Sequence, residues 1–185
     1  MAEKHALLVM DVQNGIVERY ARSAALTSIQ MALKAFRQMR WPVIFVRTAF
    51  RPGYPDISAR NQSFSAIKER GRMEETSSNT QIWAGVGPRE NELVVVKRRV
   101  SAFAGSGLEL LLRSLDIEHL TLTGISTSGV VLSTLRQAAD LDYRLLVLSD
   151  ACVDDDPWVH RVLMEKVFPR QAEVMTVREW FAAMD

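Results

Sequence analysis

An α/β sandwich is the fold class this sequence predicts, with a six-stranded, mainly parallel sheet covered by helices on both faces in three layers. Two observations predict it. Short runs rich in Val, Ile and Leu, mostly without polar alternation, recur along the chain as buried parallel strands do. Segments of helical period separate them, and strand, helix, strand in regular order implies right-handed crossovers. A third observation sets the size: 185 residues suffice for one substantial core and are few for two, so one domain spanning 1–185 is expected.

The strands are expected at HALLVM (5–10), PVIFVR (42–47), LVVVKR (93–98), HLTLTG (119–124), RLLVLS (144–149) and AEVMTV (172–177). Between the first two, LTSIQMALKAFRQMR (26–40) places Ile29, Leu33 and Phe36 on one stripe. SGLELLLRSL (106–115) opens with Ser106 and Glu109 at the spacing of a capping box. Helical period continues over 129–141 and 157–168, and REWFAAM closes the chain as a short helix. One region breaks the rhythm. From about 50 to 91 the chain holds Pro52, Gly53, Pro55, Gly85 and Gly87, yet also Phe50, Tyr54, Phe64 and Trp83, which argue for an ordered insertion that packs on or covers something.

Composition narrows the function. With 23 Lys+Arg against 22 Asp+Glu and no block of like charge, nothing offers a footprint for nucleic acid or a membrane surface. A small-molecule substrate is the expected partner. MAEKHALLVMDVQ is too short in apolar residues for a signal peptide or a span, so a cytoplasmic location is expected. The single cysteine, Cys152, excludes an internal disulfide and cysteine-based zinc spacing, and reads as a small buried hydrophobe. The apolar last helix and the aromatic insertion lead us to expect a homo-oligomer, a dimer or larger.

In open α/β sheets a ligand sits beyond the carboxyl ends of the strands. Three expected strand ends bring polar groups there: Asp11 after ALLVM, Lys97 after LVVV, and the hydroxyl-rich turn Ser126, Thr127, Ser128 after LTLTG. Partly desolvated, Asp11 and Lys97 would couple strongly. From the residues alone they are equally an N-terminal cap and a lysine facing water.

The segments ALLVMDVQNGIV, VVVKRRVSAF, LTLTGISTSGVVLSTLRQAADLDY and VLSDAC, in this order and spacing, resemble the isochorismatase-like (cysteine) hydrolase superfamily from Ala6 to about Phe168. The resemblance implies a Rossmann-like sheet and, in most members, an Asp, Lys and Cys triad for amide hydrolysis. The Asp corresponds to Asp11 and the Lys to Lys97. The cysteine, six residues after the glycine of the TG turn, corresponds to Val130, which has neither lone pair nor proton. The resemblance also implies a non-proline cis peptide between Ile125 and Ser126, and an oligomer.

A serine in place of the thiol would need a base such as histidine. His5 and His119 fall at strand starts, opposite the crevice, and His160 falls in an expected helix, so Ser126 to Ser128 read as turn residues that bind backbone or ligand. True isochorismatases, which the chain resembles in its Asp and Lys, have glycine in place of the cysteine and begin with protonation of an enol carbon by the Asp. Their histidine-containing turn is STSG here, which argues against isochorismate itself. Nicotinamidase-like relatives bind metal through an Asp-x-His pattern, whereas RTAFRPGYPDIS holds no histidine and Asp56 reads as a loop residue. Neither metal nor cofactor is expected.

Two function classes stand. One is a hydrolase without a covalent intermediate, with Asp11 as general acid or base, Lys97 as its electrostatic partner, and Gln13, Phe50, Trp83, Ser126 and Ser128 in contact with substrate. The other is a family member without catalysis that binds a small ligand or serves assembly, with Asp11 and Lys97 kept as a structural ion pair.

Overall fold

The structure, a computed structural model, describes residues 4–184. Its six strands form one sheet in which every pairing is parallel: β1 (His5–Met10), β2 (Val43–Thr48), β3 (Leu93–Lys97), β4 (His119–Ile125), β5 (Arg144–Val153) and β6 (Glu173–Met175). Their order is β3-β2-β1-β4-β5-β6, so the chain reverses its direction of travel between β1 and β4. That switch point opens a crevice beyond the carboxyl ends of these two strands.

Among the described residues seven α-helices complete the layers: α1 (Asn14–Val17), α2 (Ala24–Met39), α3 (Gln62–Glu69), α4 (Leu108–Ser114), α5 (Leu132–Asp140), α6 (Pro157–Val162) and α7 (Val177–Met184). Side chains alternate across β1. Ala6, Leu8 and Met10 join the core beneath α4 and α5, while Leu7 and Val9 join the core beneath α2 and α7. Burial on both faces explains why the strand reads as an unbroken apolar run. Ile29, Leu33 and Phe36, the stripe expected on α2, are buried, and Ser23 caps that helix through its hydroxyl, which accepts from the Ala25 N–H at 3.2 Å.

Several local expectations are corrected. The Ser106 hydroxyl does accept from the Leu108 N–H at 3.1 Å, but Glu109 turns outward to Arg113 at 2.9 Å, so the reciprocal half of the capping box is absent. β5 runs ten residues rather than six, with a register break between Leu122 and Gly124 on β4, and it carries Cys152 inside the sheet. β6 is only three residues long. The insertion is not irregular throughout, because α3 forms in it, capped by Asn61, whose side-chain oxygen accepts from the Phe64 N–H at 3.1 Å.

The aromatic groups that suggested an oligomer turn inward. Trp180 stacks on Phe36, and Phe50, Tyr54, Phe64, Ile57 and Met73 form a core of their own within the insertion. Among the described residues no helix is long and apolar enough to cross a membrane.

Gly124 brings the two central strands together at the crevice. It lies opposite Met10 with φ 150°, and a Cβ there would sit 2.4 Å from the Met10 carbonyl oxygen. Both the space and the backbone angle exclude a side chain. Gly124→Ala is therefore expected to lower unfolding free energy by about 3 kcal/mol, the range of a strained backbone forced against a packed neighbour. Denaturant unfolding at equilibrium reads this, with Gly129→Ala, near the flexible end of Ser126, as the milder comparison.

Candidate functional site

Each strand end contributes one polar group, and the sheet register sets them side by side. Asp11 follows β1 with φ 57°, a left-handed conformation that Asp tolerates better than most residues and that turns its carboxylate away from the strand direction. Thr48 ends β2 and is paired in register with Lys97, which ends β3. Lys97 Nζ lies 2.9 Å from Asp11 Oδ2 and donates to Thr48 Oγ1 at 2.6 Å and to the Arg99 carbonyl at 3.1 Å. The Thr48 hydroxyl in turn donates to Asp11 Oδ1 at 3.0 Å. The three groups close a triangle, and all three ammonium protons of Lys97 are engaged.

Asp11 and Lys97 are both buried. Burial pushes the Asp11 carboxyl above its ordinary value of 3.8, although the Lys97 charge and the hydrogen bonds from Lys97 and Thr48 pull the other way. The acid form is thereby held to higher pH than in an exposed aspartate.

Gln13 fixes this cluster from behind. Its Oε1 accepts from the Thr48 N–H at 2.8 Å, and its Nε2 donates to the carbonyls of Thr48 and Thr80, each at 2.8 Å. Fully buried, it ties β2 to the insertion and does not line the cavity.

The cluster opens into a cavity of 380 Å³. Asp11, Thr48 and Lys97 line one part of it, and Ile125, Ser126, Gly129 and Val130 line another. The Ile125–Ser126 peptide is cis. From Thr127 to Val131 the chain makes one π turn, with the Val131 N–H donating to the Ser126 carbonyl at 3.2 Å, and then continues into α5. The amino-terminal end of this helical segment borders the cavity, and its first N–H groups lie at the positive end of the helix dipole.

The insertion supplies much of the remaining wall, through Ser63, Phe64, Ile67, Arg70, Arg72 and Met73. It is pinned to the end of β3. Asp56 accepts from the Arg51 N–H at 3.0 Å, pairs with the Arg51 guanidinium at 2.6 Å and lies 3.2 Å from Arg98 Nε. Burial works against the charge on Asp56, but these donors outweigh it and hold the carboxyl below its ordinary value. Trp83 is tied to the body of the protein instead, its backbone N–H donating to the Val12 carbonyl at 2.9 Å.

Of the residues singled out from sequence, Asp11, Lys97, Ile125, Ser126 and Val130 meet at the cavity, whereas Gln13, Phe50, Trp83 and Ser128 do not line it. Phe50 is fully buried in the core of the insertion, and the Ser128 N–H donates to Asp154 at 2.6 Å. His160 faces Thr127, Nδ1 to Oγ1 at 2.8 Å, rather than Ser128. Burial pushes His160 below its ordinary value, partly offset by the Asp154 charge. Cys152 is buried between strands, and burial pushes its thiol up to about 12. Sequence reasoning missed Thr48, although a hydroxyl at a strand end is the same signal that marked Asp11 and Lys97. It also missed Arg70 and Arg72, for which no sequence signal existed.

A family model for the isochorismatase domain matches residues 5–179. YecD of Escherichia coli O157:H7, an uncharacterized isochorismatase family protein, is 31% identical over 188 residues, covering 99% of this chain and 97% of its own. The ureidoacrylate amidohydrolase RutB of Stutzerimonas stutzeri is 28% identical over 203 residues, 97% of this chain and 78% of RutB. Among solved structures, an isochorismatase family protein from Burkholderia thailandensis superposes with a TM-score of 0.87 at 27% identity, over 100% of this chain and 97% of that one.

The triangle makes Thr48 testable. Thr48→Val keeps the shape but leaves one Lys97 proton and one Asp11 oxygen without a partner, so unfolding free energy is expected to fall by about 1–3 kcal/mol. Thr48→Ser should restore most of it. Removing the Thr48 hydrogen bond also takes away one influence that lowers the Asp11 pKa, so Asp11 should titrate higher in the valine variant, as read by carboxyl carbon NMR.

Proposed function

Because the chain belongs to the isochorismatase family of hydrolases, we propose that it hydrolyses a small molecule by acid–base chemistry at Asp11, beside Lys97, with no covalent intermediate at position 130. One observation carries the reading: the buried acid and lysine share an open cavity with Ser126 and Val130 instead of being packed over by neighbouring side chains. A purely structural ion pair would not need a cavity beside it.

The chemistry follows from what each group can do. Asp11, with its carboxyl raised by burial, is an acid able to pass a proton to a leaving atom or to an electron-rich carbon. Water can then attack the polarised centre. Lys97 has its protons committed to Asp11, Thr48 and Arg99, so its part is electrostatic, favouring the carboxylate once the proton has left. Val130 has no nucleophilic atom, and Cys152, buried within β5 with its thiol pushed up to about 12, is a poor thiolate source outside the cavity lining.

The test is a screen of small amides, ureides, esters and enol ethers. Ureides lead it because relatives such as RutB are ureidoacrylate amidohydrolases. For any substrate found, Asp11→Asn should lower kcat/KM about 10²- to 10⁴-fold, and iodoacetamide should leave the rate nearly unchanged. Turnover that survives Asp11→Asn but is abolished by alkylating Cys152 would refute the mechanism. A cavity that binds ligands without turning any over would instead favour the non-catalytic member of the family.

The pH dependence has a definite sign. A rate that needs the protonated Asp11 falls as pH rises through the folded pKa of that group, which lies above 3.8. Lys97→Ala removes the charge that lowers this pKa, so its limb of the pH–rate profile should move to higher pH, in addition to a lower rate.

A further inference from the structure

Six charged side chains line the cavity, and they do not balance. Both anions are already matched. Asp11 is held by Lys97 at 2.9 Å, and Asp155 by Arg19 at 2.9 Å and by the Tyr20 hydroxyl. The two remaining cations are Arg70 and Arg72. Among the described residues neither guanidinium has a hydrogen bond or an ion pair.

Unlike a typical pair of surface arginines, these two stand on backbone that is held in place. Arg70 ends α3, Gly71 follows with φ 59°, and the Gly71 and Arg72 N–H groups donate back to the Lys68 and Ile67 carbonyls at 3.0 and 3.1 Å. This is the hydrogen-bonded reversal that ends many helices, and it needs the left-handed residue that Gly71 supplies. Tyr54 then fixes the next peptide, its hydroxyl donating to the Arg72 carbonyl at 3.0 Å. Met73, buried in the insertion core, accepts from the Phe50 N–H at 2.8 Å. The reversal sets two forked donors one residue apart along the wall of one cavity. Beside them lie apolar surfaces of Phe64, Ile67, Met73 and Val130.

Resting on the reading that this cavity is the reaction site, we propose that Arg70 and Arg72 are its specificity-determining residues and that they select a small organic oxyanion. The ligand carries a carboxylate or a phosphate monoester on an apolar body. Guanidinium forks match the paired oxygens of such groups and bind them by charge-assisted hydrogen bonds. A neutral ligand would leave two neighbouring cations on one wall of the cavity without an opposite charge. An anionic end group matches that charge while the apolar body meets the remaining wall, presenting the reactive bond to Asp11.

The experiment measures binding without turnover, using benzoate, phenyl phosphate and the neutral isostere benzamide as probes in isothermal titration or saturation-transfer NMR. At least one anion is expected to bind the wild-type protein about tenfold or more tightly than benzamide, and which anion binds tighter distinguishes carboxylate from phosphate. That preference should shrink with added salt. Arg70→Gln/Arg72→Gln, both exposed positions whose loss leaves no partner stranded, should bring the anions down to the level of benzamide without changing benzamide binding, with thermal unfolding as the check on folding. Arg70→Lys/Arg72→Lys should retain part of the preference. Equal binding of anion and benzamide, no binding of any probe at millimolar concentration, or a preference that survives the double glutamine variant would each overturn the assignment. If Asp11→Asn left turnover intact while the binding preference held, the acid–base mechanism would fail and the arginine assignment would stand.

Discussion

Withdrawing the Asp11 carboxylate and the Lys97 ammonium from water is unfavourable by several kcal/mol per ion unless each is fully met by opposite charge and hydrogen bonds. Much of the architecture at this end of the sheet meets that condition. The parallel register places Thr48 against Lys97, Gln13 holds Thr48 by both backbone polar groups, and Arg99 turns its carbonyl back to the ammonium. Breaking any one of these leaves a buried charge or a buried donor exposed to the loss. The close approach of β1 and β4 at Gly124 then sets Ser126 and Val130 across the crevice from this cluster.

The insertion between β2 and β3 is bound into the same arrangement. Asp56 gathers Arg51 and Arg98 at the end of β3, and Gln13 reaches the Thr80 carbonyl, so the wall of the cavity and the acid–lysine pair are joined through short, partly buried polar contacts. Its own small core around Phe50 and Phe64 makes α3 stable enough to present side chains. An insertion built this way acts as a fixed wall. On the function proposed above, ligand selection would then depend on which side chains it carries, with the chemistry at the strand ends.

The sheet was legible because parallel strands buried on both faces have no choice but to be apolar, and the order of strands and helices leaves few topologies. Asp11 and Lys97 were legible for a related reason: a charge directly after an apolar run stands out. Gln13 was visible as a residue near the site, but its use was not, since an amide that braces a backbone and one that binds a ligand look alike in sequence. Phe50 and Trp83 are ambiguous in the same way, because an aromatic in a loop can cover a ligand or fill a core, and here both pack onto the protein. Arg70 and Arg72 were invisible, as exposed arginines occur throughout this chain. What sets these two apart is their place on the cavity wall on either side of the turn at Gly71.

Val130 contributes neither a titratable nor a nucleophilic atom to the cavity wall. A thiol beside Asp11 and Lys97 would add a third group able to titrate, and the proton exchanged between acid and thiol would belong to both. With Val130 in that place, Asp11 supplies the carboxyl of the strand-end cluster, while the Lys97 ammonium and the Thr48 hydroxyl are engaged in hydrogen bonds. Val130 adds apolar surface to the cavity that Asp11 lines, and burial is the influence that raises the Asp11 carboxyl. A carboxyl raised in this way is a weaker acid that keeps its proton to higher pH, and an apolar side chain at position 130 is compatible with that neutral form where a nearby cation would oppose it.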